Sequence, residues 1–176
     1  MTPEVQVERS MADRSNHYEA AFEGFLRTLK VSCLPIDETR RTFTSGEAVK
    51  SLDFIVMRPS GKALLIDVKG RSLRGDKPSM ENWIRGDDAD SLRRWRNAFG
   101  GAAVGLLVFV YRLRNETQRA AFADLFEYAD QLYACKAIDV EDYAALMKPR
   151  STQWGTFSIP RELFRESCRP FTQWLE

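Results

Sequence analysis

Histidine is nearly missing from this sequence: His17 is the only one in 176 residues. That excludes His-based catalytic triads and zinc hydrolases, which need several imidazoles or thiolates. Cysteine is scarce as well. Cys33, Cys135 and Cys168 are odd in number and far apart, so they form neither a disulfide framework nor a Cys-x-x-Cys metal clip. Reduced thiols in a cytoplasmic protein are the simplest expectation. No excess of charge is present either: 26 Lys and Arg face 25 Asp and Glu, for a net charge of +1. A generic polycation that binds nucleic acid by bulk charge is thereby excluded. Long apolar runs are missing too. The longest, Ala102 to Tyr111, is about half the ~18–20 residues that a membrane span requires, so no membrane partner is expected. The first ten residues hold no apolar signal core, which argues against secretion.

What is present is ordinary for a globular chain: 44% hydrophobic and 29% charged residues, at a length suited to one domain. Residues 1–14 lack periodicity and read as a flexible N-terminal arm; residues 15–176 read as a single domain. Charge is uneven along it. Residues 58–96 carry ten basic and six acidic side chains, against a slight acidic excess on either side. Lys69, Arg71, Arg74, Lys77, Arg85, Arg93, Arg94 and Arg96 fall in that segment, as a solvated surface or a phosphate-facing patch.

Asn16 to Leu29 has Tyr18, Phe22, Phe25 and Leu29 on one helical stripe. Val31 to Ile36 and Leu52 to Met57 read as strands, and Pro59-Ser60-Gly61 as a turn. Ala63 to Lys69 reads as a strand closed by Gly70 and paired with 52–57 as an antiparallel hairpin. Residues 72–86 form a polar loop around Trp83. Asp88 to Phe99 is a helix packing Leu92, Trp95 and Phe99, and 102–111 is a strand covered on both faces. Further on come a helix over 116–125, a strand over 132–138, a short helix capped by Asp139, a strand-like segment 154–159 and a final helix opened by Pro160. Trp154 and Trp174 read as structural. The order implies an α/β fold: a mixed central sheet flanked by helices.

The chemistry concentrates between Ser51 and Arg71. Strand residues two apart share a face at about 6.6 Å spacing, so Leu65, Asp67, Lys69 and Arg71 point one way while Leu64, Ile66 and Val68 enter a core. Charges in so apolar a strand need partners. An Asp67–Lys69 or Asp53–Lys69 ion pair is one explanation. The other is catalytic. Two carboxylates on adjacent strands suit Mg²⁺, a hard ion that takes oxygen ligands and keeps several waters. Such an ion activates water and neutralises phosphate charge, and a neighbouring lysine orients the nucleophile. This chemistry needs neither histidine nor cysteine.

Leu52-Asp53, a gap of 13 residues, and Asp67-Val68-Lys69 resemble the bipartite motif of the PD-(D/E)XK nuclease superfamily, with leucine where that family often has proline. The order of elements over residues 16–111 is similar to its restriction-endonuclease-like core, in particular the resolvase-like branch; residues 112–176 form a C-terminal extension outside the resemblance. The resemblance implies a nuclease that hydrolyses phosphodiesters with Mg²⁺, or alternatively Mn²⁺. Asp53 and Asp67 match the metal-binding acids, and Lys69 the catalytic lysine. A helix glutamate completes the family's site. Helix geometry puts Glu19 at the edge of the apolar stripe and Glu23 nearer solvent, which favours Glu19, although Asn16 to Glu19 also has capping-box spacing. DNA is the expected partner, with RNA open. Cutting both strands of a duplex calls for two active sites and hence a homodimer. Arg71, Arg74, Lys77, Arg93 and Arg94 are the candidate phosphate contacts. A catalytically inactive nucleic-acid-binding or protein-assembly module on the same core is the alternative.

Overall fold

The computed structural model describes residues 16–37, 42–44, 46–76 and 79–176. The N-terminal arm and Lys77 lie outside the described residues. In chain order the elements are α1 (His17–Thr28), β1 (Ser32–Pro35), β2 (Thr42–Thr44), β3 (Glu47–Val49), β4 (Phe54–Met57) and β5 (Ala63–Ser72). There follow β6 (Ile84–Arg85), α2 (Gly86–Ala98), β7 (Ala103–Arg112), β8 (Leu125–Tyr128) and β9 (Gln131–Asp139). The chain closes with α3 (Val140–Leu146), β10 (Lys148–Ser151), β11 (Thr156–Ser158) and α4 (Arg161–Ser167).

Six strands make the main sheet in the order β1-β4-β5-β7-β9-β8. The expected hairpin forms: Phe54 pairs with Ile66 and Met57 with Ala63, antiparallel. β5 and β7 pair in parallel over ten residues, so the sheet is mixed. Both are buried along most of their length, as their near-continuous apolar runs require. The C-terminal extension widens this sheet: β9 lies antiparallel to β7 and carries β8 at the edge.

Alternation along β5 sorts the two cores. Leu64, Ile66 and Val68 face α1 and pack with Ala21, Phe22, Phe25 and Leu26. Leu65 faces the other way, into a core shared with Ala89 and Leu92 of α2, Val140 and Tyr143 of α3, and Phe164 of α4. Asp67 and Lys69 share the α2 side.

Several expectations need correction. Gly70 does not close β5, which runs on to Ser72. The ring of Tyr18 lies so close over Gly70 that a methyl group there would overlap it, so the glycine serves helix docking. The helix expected over 116–125 is only a 3-10 turn at Glu116–Ala121; the alternating Leu125-Phe126-Glu127-Tyr128 instead adds a strand. Phe99 is 38% exposed, because α2 leaves the core after Leu92 and Trp95 is only half-buried. Trp154 is 71% exposed, at the turn between β10 and β11. Glu23 is buried at 3% exposure and bonded to Arg27 at 2.6 Å. The buried face of α1 is therefore broader than its aromatic stripe.

Candidate active site

β4 and β5 bring the motif together at their far end. The β4–β5 ladder ends at the Phe54–Ile66 pair, and Asp53 and Asp67 are the next residue on each side of it. Asp53 extends the ladder where β4 stops: its N–H donates to the Ile66 carbonyl at 2.9 Å, and its Oδ2 accepts from the Val68 N–H. The carboxylate thus takes the position of the next main-chain acceptor, which fixes its rotamer. Asp53 and Asp67 are both buried, at 6% exposure each.

Lys69 lies one pleat beyond Asp67, and its Nζ is 2.9 Å from Asp67 Oδ1. The same ammonium is 3.1 Å from Asp88 Oδ1. Asp88 also takes Lys50 Nζ on Oδ1, while Oδ2 accepts from the Arg85 N–H at 2.9 Å at the start of α2. Lys50 is held in turn by α2: its N–H donates to Ser91 Oγ at 3.3 Å, and its carbonyl accepts from Trp95 Nε1 at 3.0 Å. The result is an alternating cluster of Asp67, Lys69, Asp88 and Lys50, with Asp53 one strand away.

Burial dominates the titration of Asp67 and pushes its carboxyl up; Lys69 opposes this and Asp88 adds to it. Burial acts on Asp88 in the same direction, but Lys69 and Lys50 outweigh it and hold that carboxyl below its ordinary value. Lys50 mirrors this: burial disfavours its charge, yet Asp67 and Asp88 raise its pKa.

Neither Asp88 nor Lys50 stood out in the sequence. Asp88 reads as a helix-start acid, which it also is, and Lys50 precedes the motif by three residues. Only docking of α2 on β5 joins them. Glu19 sits in the first turn of α1, half-buried and hydrogen-bonded by Asn16 Nδ2, on the helix that packs against the opposite face of the sheet. Among the described residues no group of three or more His, Cys, Asp or Glu side chains is placed to hold a metal ion. His17 bonds the Tyr133 hydroxyl through Nδ1 at 2.9 Å.

The basic candidates divide. Arg71 lies half-buried with its guanidinium 4.1 Å from the centre of the Trp83 ring; it donates to the Gly70 carbonyl at 2.7 Å and to the Trp83 carbonyl. Burial lowers its pKa. Arg74 is exposed beside a cleft of about 310 Å³ that Arg71, Ser72, Glu81 and Trp83 also line. Arg93 bonds Glu141 at 3.1 Å, and Arg94 pairs with Glu47.

No protein-family model matches the chain. No curated protein matches it in sequence. Its fold is similar to that of Hjc, a Holliday junction resolvase from the archaeal hyperthermophile Archaeoglobus fulgidus, with a TM-score of 0.56 and 12% identity over 91% of this chain and 98% of that one. The matched length reaches well past residue 111, in keeping with β8 and β9 belonging to the main sheet. The chain has a resolvase-like, restriction-endonuclease-like fold, a mixed central sheet flanked by helices.

Proposed function

We propose that the protein is a divalent-metal-dependent nuclease acting on DNA. The observation that supports this best is the Lys69–Asp67 pair at 2.9 Å on β5, with the Asp53 carboxylate anchored to Val68 on the adjoining strand. Asp53 and Asp67 would hold Mg²⁺ or Mn²⁺; one or two carboxylates, completed by water and substrate phosphate, suit Mg²⁺. When bound, such an ion neutralises phosphate charge and acidifies water. Asp67 and Asp88 hold the Lys69 ammonium in place, where it orients the attacking water and stabilises charge on the phosphate in the transition state. Arg71 and Arg74, which line one cleft, would face flanking phosphates. Arg93 and Arg94 would contact phosphate by exchanging Glu141 and Glu47 for it. Two copies would cut the two strands of a duplex.

The test is a labelled panel of linear, single-stranded, nicked and four-way DNA, with matched RNA, in Mg²⁺, Mn²⁺ or EDTA. Cleavage that needs the metal and disappears in Lys69→Ala and Asp67→Ala supports the assignment; absence of metal-dependent cleavage on every substrate removes it.

One observation favours a second function, that of a non-catalytic binding or assembly module. Lys69 is already paired with two carboxylates, Asp67 and Asp88. Such a module would bind nucleic acid with a salt dependence untouched by Lys69→Ala.

A further inference from the structure

We propose that the cleft beside the β10–β11 turn holds one unpaired nucleobase of a single-stranded DNA segment next to the cutting site, an inference that rests on the nuclease assignment. The cleft measures about 270 Å³ and is lined by Trp83, Arg85, Arg150, Trp154 and Thr156. That is just under the ~300 Å³ at which pockets for drug-sized ligands begin, and it suits a single flat ring system.

Three features identify the occupant. Trp154 stands 71% exposed on a turn, where folding requires no aromatic side chain, and so offers a stacking face to solvent. Thr156 is only 6% exposed, yet its Oγ1 is shut off from water with no hydrogen-bond partner. That hydroxyl, which can both donate and accept, belongs to a residue that lines the cleft. The charged lining residues are both arginines. Arg150 lies 5.4 Å from the centre of the Trp83 ring, and Arg85 is largely exposed, with Asp87 at 3.4 Å. Two guanidiniums disfavour a cationic guest and favour one that carries phosphate. Stacking on tryptophan inside a basic cleft is the chemistry by which single strands are held without sequence preference.

Position ties the cleft to the proposed chemistry. Arg71 follows Lys69 by two residues on the same face of β5, about 6.6 Å along the strand. Its guanidinium covers Trp83, and Trp83 lines the cleft. A strand with one phosphate over Lys69 would bring a nearby nucleotide to Trp154.

The experiment uses the full chain in EDTA, so that binding is separated from cleavage. Fluorescence anisotropy is measured with a short labelled oligodeoxythymidylate, an abasic oligomer of equal length and a hairpin duplex, alongside tryptophan quenching. Trp154→Ala weakens binding of the base-bearing single strand about tenfold or more, Trp154→Phe largely restores it, and duplex binding changes less than about twofold. Equal affinity of wild type and Trp154→Ala, equal affinity for abasic and base-bearing strands, or binding confined to duplex each overturns the proposal. Trp154-dependent binding without metal-dependent cleavage would keep the cleft and remove the nuclease; metal-dependent cleavage with Trp154-independent binding would do the reverse.

Discussion

The Nζ of Lys69 lies 3.1 Å from Oδ1 of Asp88, so an acid at the start of α2 shares the ammonium of the β5 motif with Asp67. Asp88 is 4% exposed and also holds Lys50 and the Arg85 N–H. Removing it leaves two part-buried ammonium groups short of an anion and α2 without its cap. Asp88→Ala is expected to lower stability by about 3 kcal/mol, the lower end for breaking a buried pair. Asp88→Asn keeps an acceptor for Arg85 and recovers part of that loss. Urea unfolding of both variants checks the order.

Activity should separate from stability at Lys69. Lys69→Met keeps much of the side-chain volume but removes the charge that faces Asp67. Metal-dependent cleavage is expected to fall at least about 100-fold, the scale for losing one preorganised stabilising group. Circular dichroism should still report the α/β fold, because Lys50 continues to pair with Asp88. Undiminished cleavage would remove Lys69 from the chemistry.

His17 makes acid stability a clean readout, since no second histidine titrates in the same range. Burial, followed by the nearby charge of Arg112, lowers its pKa from the ordinary 6.5. The unfolded chain then binds the proton more readily than the native one. The neutral ring's contribution is complete above pH 6.5 and is lost as pH falls through the lowered native value. His17→Gln should flatten the stability profile just below pH 6.5, measured by denaturant midpoints at a series of pH values.

Gly70 and Tyr18 should behave as a coupled pair. A Cβ at position 70 overlaps the Tyr18 ring, so Gly70→Ala is expected to cost about 1–3 kcal/mol by overpacking. Tyr18→Ala opens the space, and the double variant should lose less than the sum of the two single changes. Thermal unfolding of the four proteins measures the coupling, and strict additivity would place the strain elsewhere.

The parts of the fold legible in the chain are those governed by neighbours in sequence. The period-2 alternation of 63–69 assigned Leu64, Ile66 and Val68 to one face and Leu65, Asp67 and Lys69 to the other, and the two cores follow that division. The short turn at 58–62 set the antiparallel hairpin, and Asp139 and Pro160 marked helix starts by the backbone groups they satisfy or lack. Trp154 and Glu23 misled for a common reason. Hydrophobicity and helical angle describe one element alone, whereas exposure depends on what packs against it.

Residue order was enough to bring Asp53, Asp67 and Lys69 to one end of a hairpin, because adjacent antiparallel strands translate sequence spacing directly into register. It was not enough to bring Lys50 and Asp88 to Lys69 or to set the Tyr18 ring on Gly70. Those relationships span helices and strands far apart in the chain. They arise when α1 and α2 settle on opposite faces of the sheet, since burial of apolar area selects the docking and the charged groups are paired by where it leaves them.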